Sequence, residues 1–202
     1  LLPLPGGDLL AGSTTGLWRY NANDQRIVRW RVEGMPEADV HALAIAADGS
    51  FWAGTDDHGL WHFDANGKKL QHYDSRNGLV GDDIRSLLFD SRGALWIGTF
   101  TGLSRIDEPG AAPRNWRHDP SQRDGLGSNR IHSLLEDRDG LVWIGTWLDG
   151  AHVFTPASEA FTELRGKPDL PGALPTSVVR SIFADGQGLL WLGLLEGGGL
   201  VL

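Results

Sequence analysis

The sequence predicts an all-β protein: a β-propeller built of four-stranded antiparallel blades. Three observations predict it. One unit recurs along the chain with a tryptophan at a fixed place. Those tryptophans, Trp52, Trp96, Trp143 and Trp191, stand 44, 47 and 48 residues apart, the length of a propeller blade. The 202 residues hold 28 Gly and 9 Trp, which suits short strands joined by tight turns.

Four segments align without gaps: VHALAIAADGSFWAGT from Val40, IRSLLFDSRGALWIGT from Ile84, IHSLLEDRDGLVWIGT from Ile131 and VRSIFADGQGLLWLGL from Val179. In each, the tryptophan lies twelve positions after the first aliphatic residue, and a turn glycine (Gly49, Gly93, Gly140 or Gly188) lies nine after it. A fifth, partial copy opens the chain as GDLLAGS from Gly7, with Leu10 in the tryptophan place. Downstream come Gly-led segments at Gly16, Gly59, Gly102 and Gly150, and fourteen residues beyond each stands Trp30, Tyr73, Trp116 or Leu164.

Each unit therefore reads as four strands. Strand A is the aliphatic run, strand B carries the tryptophan, strand C starts at the glycine, and strand D ends near the bulky residue. Strands A and B are apolar almost throughout, as expected of sheets covered on both faces by neighbouring blades. A leucine-rich solenoid has a shorter period, and a helical solenoid needs a 3.6-residue apolar pattern that is absent here. The whole chain is one propeller segment, with units at about 7–32 (partial), 40–74, 84–118, 131–165 and 179–202 (partial).

Composition narrows the function. A formal charge of −8 argues against nucleic acid as a partner, because phosphate binding needs a basic face. The absence of cysteine excludes disulfides and thiolate metal sites. No stretch approaches the roughly 18 apolar residues of a membrane span. Residues 1–5 are apolar, but no basic region precedes them, so as they stand they are not a signal peptide. No G-x-S-x-G, H-E-x-x-H or phosphate-cradling glycine loop appears, so neither a catalytic set, a metal site nor a cofactor is expected.

The motif D-x-x-G-x-L-W-I-G-T, here Asp90 to Thr99 and again Asp137 to Thr146, resembles the two-component regulator propeller repeat. The linker from Asn77-Gly78-Leu79 to Ile84 is similar to that family too. The resemblance implies a periplasmic or extracellular sensor domain of a bacterial signalling protein, with a histidine kinase or diguanylate cyclase as output. It also implies carbohydrate ligands and dimers. Rings of that family usually hold seven blades. Here the chain reads as opening at strand B of one blade and ending within strand C of another, near Leu202. About four to five blades of a larger ring are therefore expected, a compact ring of five being the alternative.

Comparison of the repeats locates the variation. The D–A connection spans 10, 11, 15 and 15 positions, counted from Trp30, Tyr73, Trp116 and Leu164 to the next first aliphatic, whereas the A–B turn never changes. Scaffold is constant and binding loops vary, so the functional face is expected on the D–A and B–C side. The B–C loops offer Asp56, Asp57 and His58, then Phe100, then Trp147 and Asp149, then Glu196. Aromatics beside carboxylates suit sugars, whose C–H face stacks on a ring while the acid accepts hydroxyl bonds. The plainer reading is that Trp147 and Phe100 cap blade edges.

A second constellation follows the first aliphatic of strand A: His41, Arg85, His132 and Arg180. Strand A lines the central channel, so these side chains would ring its mouth and attract an acidic ligand. Asp82 and Asp83 could pair with Arg85. The alternative is blade-to-blade hydrogen bonding. Propeller lyases acting on antibiotics carry a similar repeat, and for such an enzyme His58, His132 and Glu196 are the candidate bases. A third reading is a structural module that dimerises through its rims.

Overall fold

The computed structural model describes residues 1–122, 125–164, 174, 176–195 and the backbone of 199–201. Among the described residues there is no helix, and five antiparallel sheets follow one another along the chain.

The first sheet holds β1 (Leu2–Pro3), β2 (Leu9–Ser13), β3 (Gly16–Asn21) and β4 (Arg26–Trp30). The second holds β5 (Val40–Ile45), β6 (Phe51–Thr55), β7 (Leu60–Phe63) and β8 (Lys69–Tyr73). The third holds β9 (Ile84–Phe89), β10 (Leu95–Thr99), β11 (Leu103–Ile106) and β12 (Arg114–Trp116). The fourth holds β13 (Ile131–Glu136), β14 (Val142–Thr146), β15 (Ala151–Thr155) and β16 (Ala160–Leu164). The fifth has three strands, β17 (Val179–Ala184), β18 (Leu190–Leu194) and β19 (Gly199–Val201). The sequence places the first strand of the chain at strand B. Instead, two residues of a strand A, Leu2 and Pro3, pair with Leu10 and Leu9.

Alternation along strand B builds the core. Phe51 and Ala53 face the first blade, packing with Leu10 and Leu17, while Trp52 faces the third, packing with Ile84, Leu95 and Ile97. Trp96 likewise packs on Ile131, Val142, Ile144 and Phe154 of the fourth blade. Trp52 and Trp96 are thus each covered by the blade that follows. Trp52 and Trp96 are fully buried, whereas Trp143 is half-buried. Trp191, at the same place in its repeat, is 45% exposed, and among the described residues no sheet packs on its outer face. The glycine two residues after the tryptophan makes the close approach possible. A Cβ on Gly98 would stand 2.6 Å from Ile131 Cγ2, and one on Gly54 would be nearer still to Ile84.

The aspartate that closes strand A does more than form a turn. Asp90 Oδ1 accepts from the backbone N–H of Arg92 and Ala94, and Oδ2 accepts from the Trp96 indole at 2.8 Å. Asp137 and Asp185 repeat the clip on Trp143 and Trp191 at 2.7 and 3.0 Å. The Trp191 indole and the neighbouring backbone donors hold Asp185 below the ordinary carboxylate range. In the second blade the equivalent residue is Ala46, and buried Trp52 Nε1 has no partner. That indole instead stacks on His62, with ring centres 4.0 Å apart.

Burial holds the His62 imidazole below the usual histidine value, with Asp48 partly opposing it. His132 is lowered in the same direction, by burial first and then by the Arg180 and Arg85 charges. In the unfolded chain both titrate near ~6.5, so the unfolded state takes up protons first as acid is added. Their contribution to stability is full above that pH and declines below it. Removing both rings, as His62→Gln with His132→Gln, is expected to flatten the dependence of melting temperature on pH between about 7.5 and 5.5. An unchanged slope would count against this account.

Candidate functional site

Strand A bulges at the same position in four blades. Val40 pairs with Thr55 and Ala42 with Gly54, which leaves His41 as the extra residue. The same irregularity leaves out Arg85 between Ile84 and Ser86, His132 between Ile131 and Ser133, and Arg180 between Val179 and Ser181. A bulge bends the strand and re-aims one side chain. Here it sets four polar side chains, one per blade, at the mouth between successive A strands, which pack side by side. A cavity of about 310 Å³ beneath them is lined by His41, Arg85 and His132 together with Ser86 and Ser133.

The B–C loops close over the same end. The Asp56 N–H donates to the Asp39 carbonyl, Gly59 to Asp82, and Trp147 to Arg130. The D–A and B–C connections therefore share one face, as the repeat comparison expects. The first residue of each B–C loop meets the bulged residue of the next blade. Arg85 pairs with Asp56, also donates to His41 Nε2 at 2.8 Å, and lies 4.3 Å over the Phe100 ring. Phe100 and His132 lie 5.1 Å apart, and His132 and Trp147 4.8 Å. Arg180 sits 5.0 Å over Trp147. The two constellations are one ladder: Asp56, Arg85, Phe100, His132, Trp147, Arg180.

Not every expected residue joins it. Asp83 pairs with Arg85, but Asp82 does not. Its carboxylate instead accepts from the N–H and hydroxyl of Ser75. Burial raises the Asp83 carboxyl above the ordinary value, against the pull of Arg85. Exposed Asp57 and His58 line a separate cavity of about 590 Å³ with Trp61, His72 and Arg76. Asp149 turns from the ladder toward buried His152, 3.9 Å away. The ligand atoms of Asp149, His152 and Glu163 lie within 4.8 Å of one another, and each of the three makes further interactions. Glu196 lies outside the described residues. Blade-edge capping and ring exposure coexist in Phe100 and Trp147, which are half-buried with protein cations or imidazole against their faces.

Two residues of the mouth, Asp39 and Arg130, escaped sequence reading. Asp39 lies 3.6 Å from His41, and Arg130 stands 6.0 Å from the Phe100 ring. Both occupy the position just before the first aliphatic, where the copies read Asp39, Asp83, Arg130 and Val178. Aligning that column as well would have found them.

Two stretches, residues 78–101 and 125–148, match the two-component regulator propeller model. Each stretch runs from the end of a D–A connection through the bulged strand A to the first B–C residues. No curated protein matches the sequence. Among solved structures, the chain is similar to the extracellular domain of BT3049 from B. thetaiotaomicron, assigned to the hybrid two component systems. The two are 18% identical with a TM-score of 0.81, over 98% of this chain and 26% of that one. The extracellular domain of BT4673 from the same organism, assigned to the one component systems, is 17% identical with a TM-score of 0.76, over 99% and 27%. Virginiamycin B lyase from Staphylococcus aureus is 17% identical with a TM-score of 0.72, over 95% and 61%. These likenesses establish the propeller fold, and this chain spans about a quarter of the first two.

Proposed function

We propose that this chain, which carries two-component regulator propeller repeats, is the extracytoplasmic ligand-sensing segment of a bacterial signalling protein. The ligand is bound at the channel mouth, and a carbohydrate is the class that the family resemblance favours. The observation that carries this reading is the bulge repeated in four successive strands at His41, Arg85, His132 and Arg180, the first three of which line one cavity. Bulges are common at sheet edges and beside functional sites, and each re-aims one side chain. The segment itself acts by binding. Its periplasmic or extracellular placement and its output domain belong to the same proposal.

The lyase reading is weaker on the same geometry. Its candidate bases His58 and His132 line different cavities. His132 Nε2 is buried and makes no hydrogen bond among the described residues, whereas a general base must reach the proton it abstracts.

A thermal-shift screen against neutral and acidic oligosaccharides tests the proposal. A ligand at about 100 times its Kd adds roughly 2.7 kcal/mol of stability. Trp147→Ala removes the ring beneath Arg180 and is expected to reduce that shift while leaving the unliganded fold intact. A shift that Trp147→Ala leaves undiminished would place the ligand elsewhere. No shift across the panel, with the fold intact, would move the weight to a protein-interaction role.

A further inference from the structure

The mouth is not symmetric in charge. In the second and third blades the bulged cation or imidazole stands two residues after an acid that immediately precedes its strand: Asp39 before His41, and Asp83 before Arg85. Asp56 adds a third carboxylate to that side, so Arg85 is held by two acids and an imidazole. In the fourth and fifth blades the same position is Arg130 and Val178, before His132 and Arg180. Among the described residues neither Arg130 nor Arg180 has a carboxylate partner. Their guanidiniums lie 6.0 and 5.0 Å from the rings of Phe100 and Trp147, and Arg130 also borders a cavity of about 420 Å³ that Asp149 lines. Both side chains are exposed. The His132 imidazole beside them is held below the usual histidine value by burial first and then by the Arg180 and Arg85 charges.

An arginine stacked on an aromatic ring is held in place while its N–H edge stays free to meet an acid, and guanidinium geometry matches a carboxylate. The stacks also decide what the rings cannot do readily. A sugar face would have to displace a guanidinium or the His132 ring to lie on Phe100 or Trp147, so stacking is not the main source of affinity here.

Accepting the mouth as the ligand site, we propose that it takes an acidic saccharide, a uronic-acid sugar. The sugar lies across the ladder with its carboxylate at Arg130 and Arg180. Its hydroxyls face Asp39 and Asp56, whose carboxylates accept from them. The orientation is fixed because reversing the ligand would set its carboxylate against three aspartates.

The test is calorimetric titration of the full chain with trigalacturonate and with the neutral galactose trisaccharide, repeated on Arg130→Gln/Arg180→Gln. Both substitutions are at exposed positions, and an unchanged melting temperature confirms that the fold is kept. Trigalacturonate is expected to bind, and to bind more weakly as salt is raised. Two charge-assisted contacts are lost, so the double variant is expected to weaken binding by about a hundredfold or more. Binding of the neutral trisaccharide equally well, or acidic binding that the double variant leaves unchanged, overturns the proposal and leaves the sensing site standing. Binding of neither sugar overturns this proposal, and with no shift in the wider panel the site reading falls too.

Discussion

Trp96→Ala is expected to destabilise the fold by about 3–5 kcal/mol, the range for removing a large aromatic side chain from a core. Trp96 is fully buried between the third and fourth blades, where it stacks on Trp116 at 5.6 Å and meets Phe154 edge-on at 4.9 Å. The surrounding strands cannot collapse into the gap, because they are fixed by their own sheets. The same substitution at Trp191 is expected to cost about 1 kcal/mol or less, since that ring is 45% exposed. Equilibrium denaturation of the two variants checks the contrast. Equal losses would mean that the tryptophan is not stabilised by the blade that follows it.

Asp90→Ala is expected to cost about 2–4 kcal/mol, because it leaves the Trp96 indole and two turn N–H groups without their acceptor. The second blade offers the reverse experiment. Ala46 sits in an identical turn, its N–H bonded to the Ser50 carbonyl and its carbonyl to the Gly49 N–H, as Asp90 is to Ala94 and Gly93. Ala46→Asp brings an acceptor to the orphaned Trp52 Nε1 and is expected to stabilise the protein by about 1 kcal/mol. Denaturation midpoints measure both changes, and the indole N–H resonances of Trp96 and Trp52 report the bonds directly. A destabilised Ala46→Asp would show that the His62 stack and an aspartate cannot coexist in that blade.

The repeat made the architecture legible from residues alone. A tryptophan and a turn glycine at constant offsets fixed strands A and B, and the apolar runs of both strands indicated sheets covered on two faces. The channel-mouth residues were legible for the same reason: His41, Arg85, His132 and Arg180 share one column. Their aim was not legible, because a bulge is a property of register between two strands, and no residue in the column announces it. Which acid pairs with Arg85 was also beyond the sequence. Asp82 and Asp83 are neighbours in the chain, but only Asp83 faces the arginine, while Asp56 arrives from another blade. The exposure of Trp191 depended on what lies beyond its own unit, which a repeat signature does not encode. Asp57 and His58 follow Asp56 directly in the chain yet open into a different cavity, because the loop turns between them.

The proposed ligand site lies where the D–A and B–C loops meet the bulged strands. Backbone amide chemical-shift mapping locates bound ligand, using whichever saccharide raises the melting temperature. Perturbed amides are expected to cluster at the bulges, around His41, Arg85, His132 and Arg180, and at the loop residues Asp56, Phe100 and Trp147. Perturbation centred instead on the A–B turns at Gly49, Gly93, Gly140 and Gly188, at the opposite end of the blades, would contradict that placement.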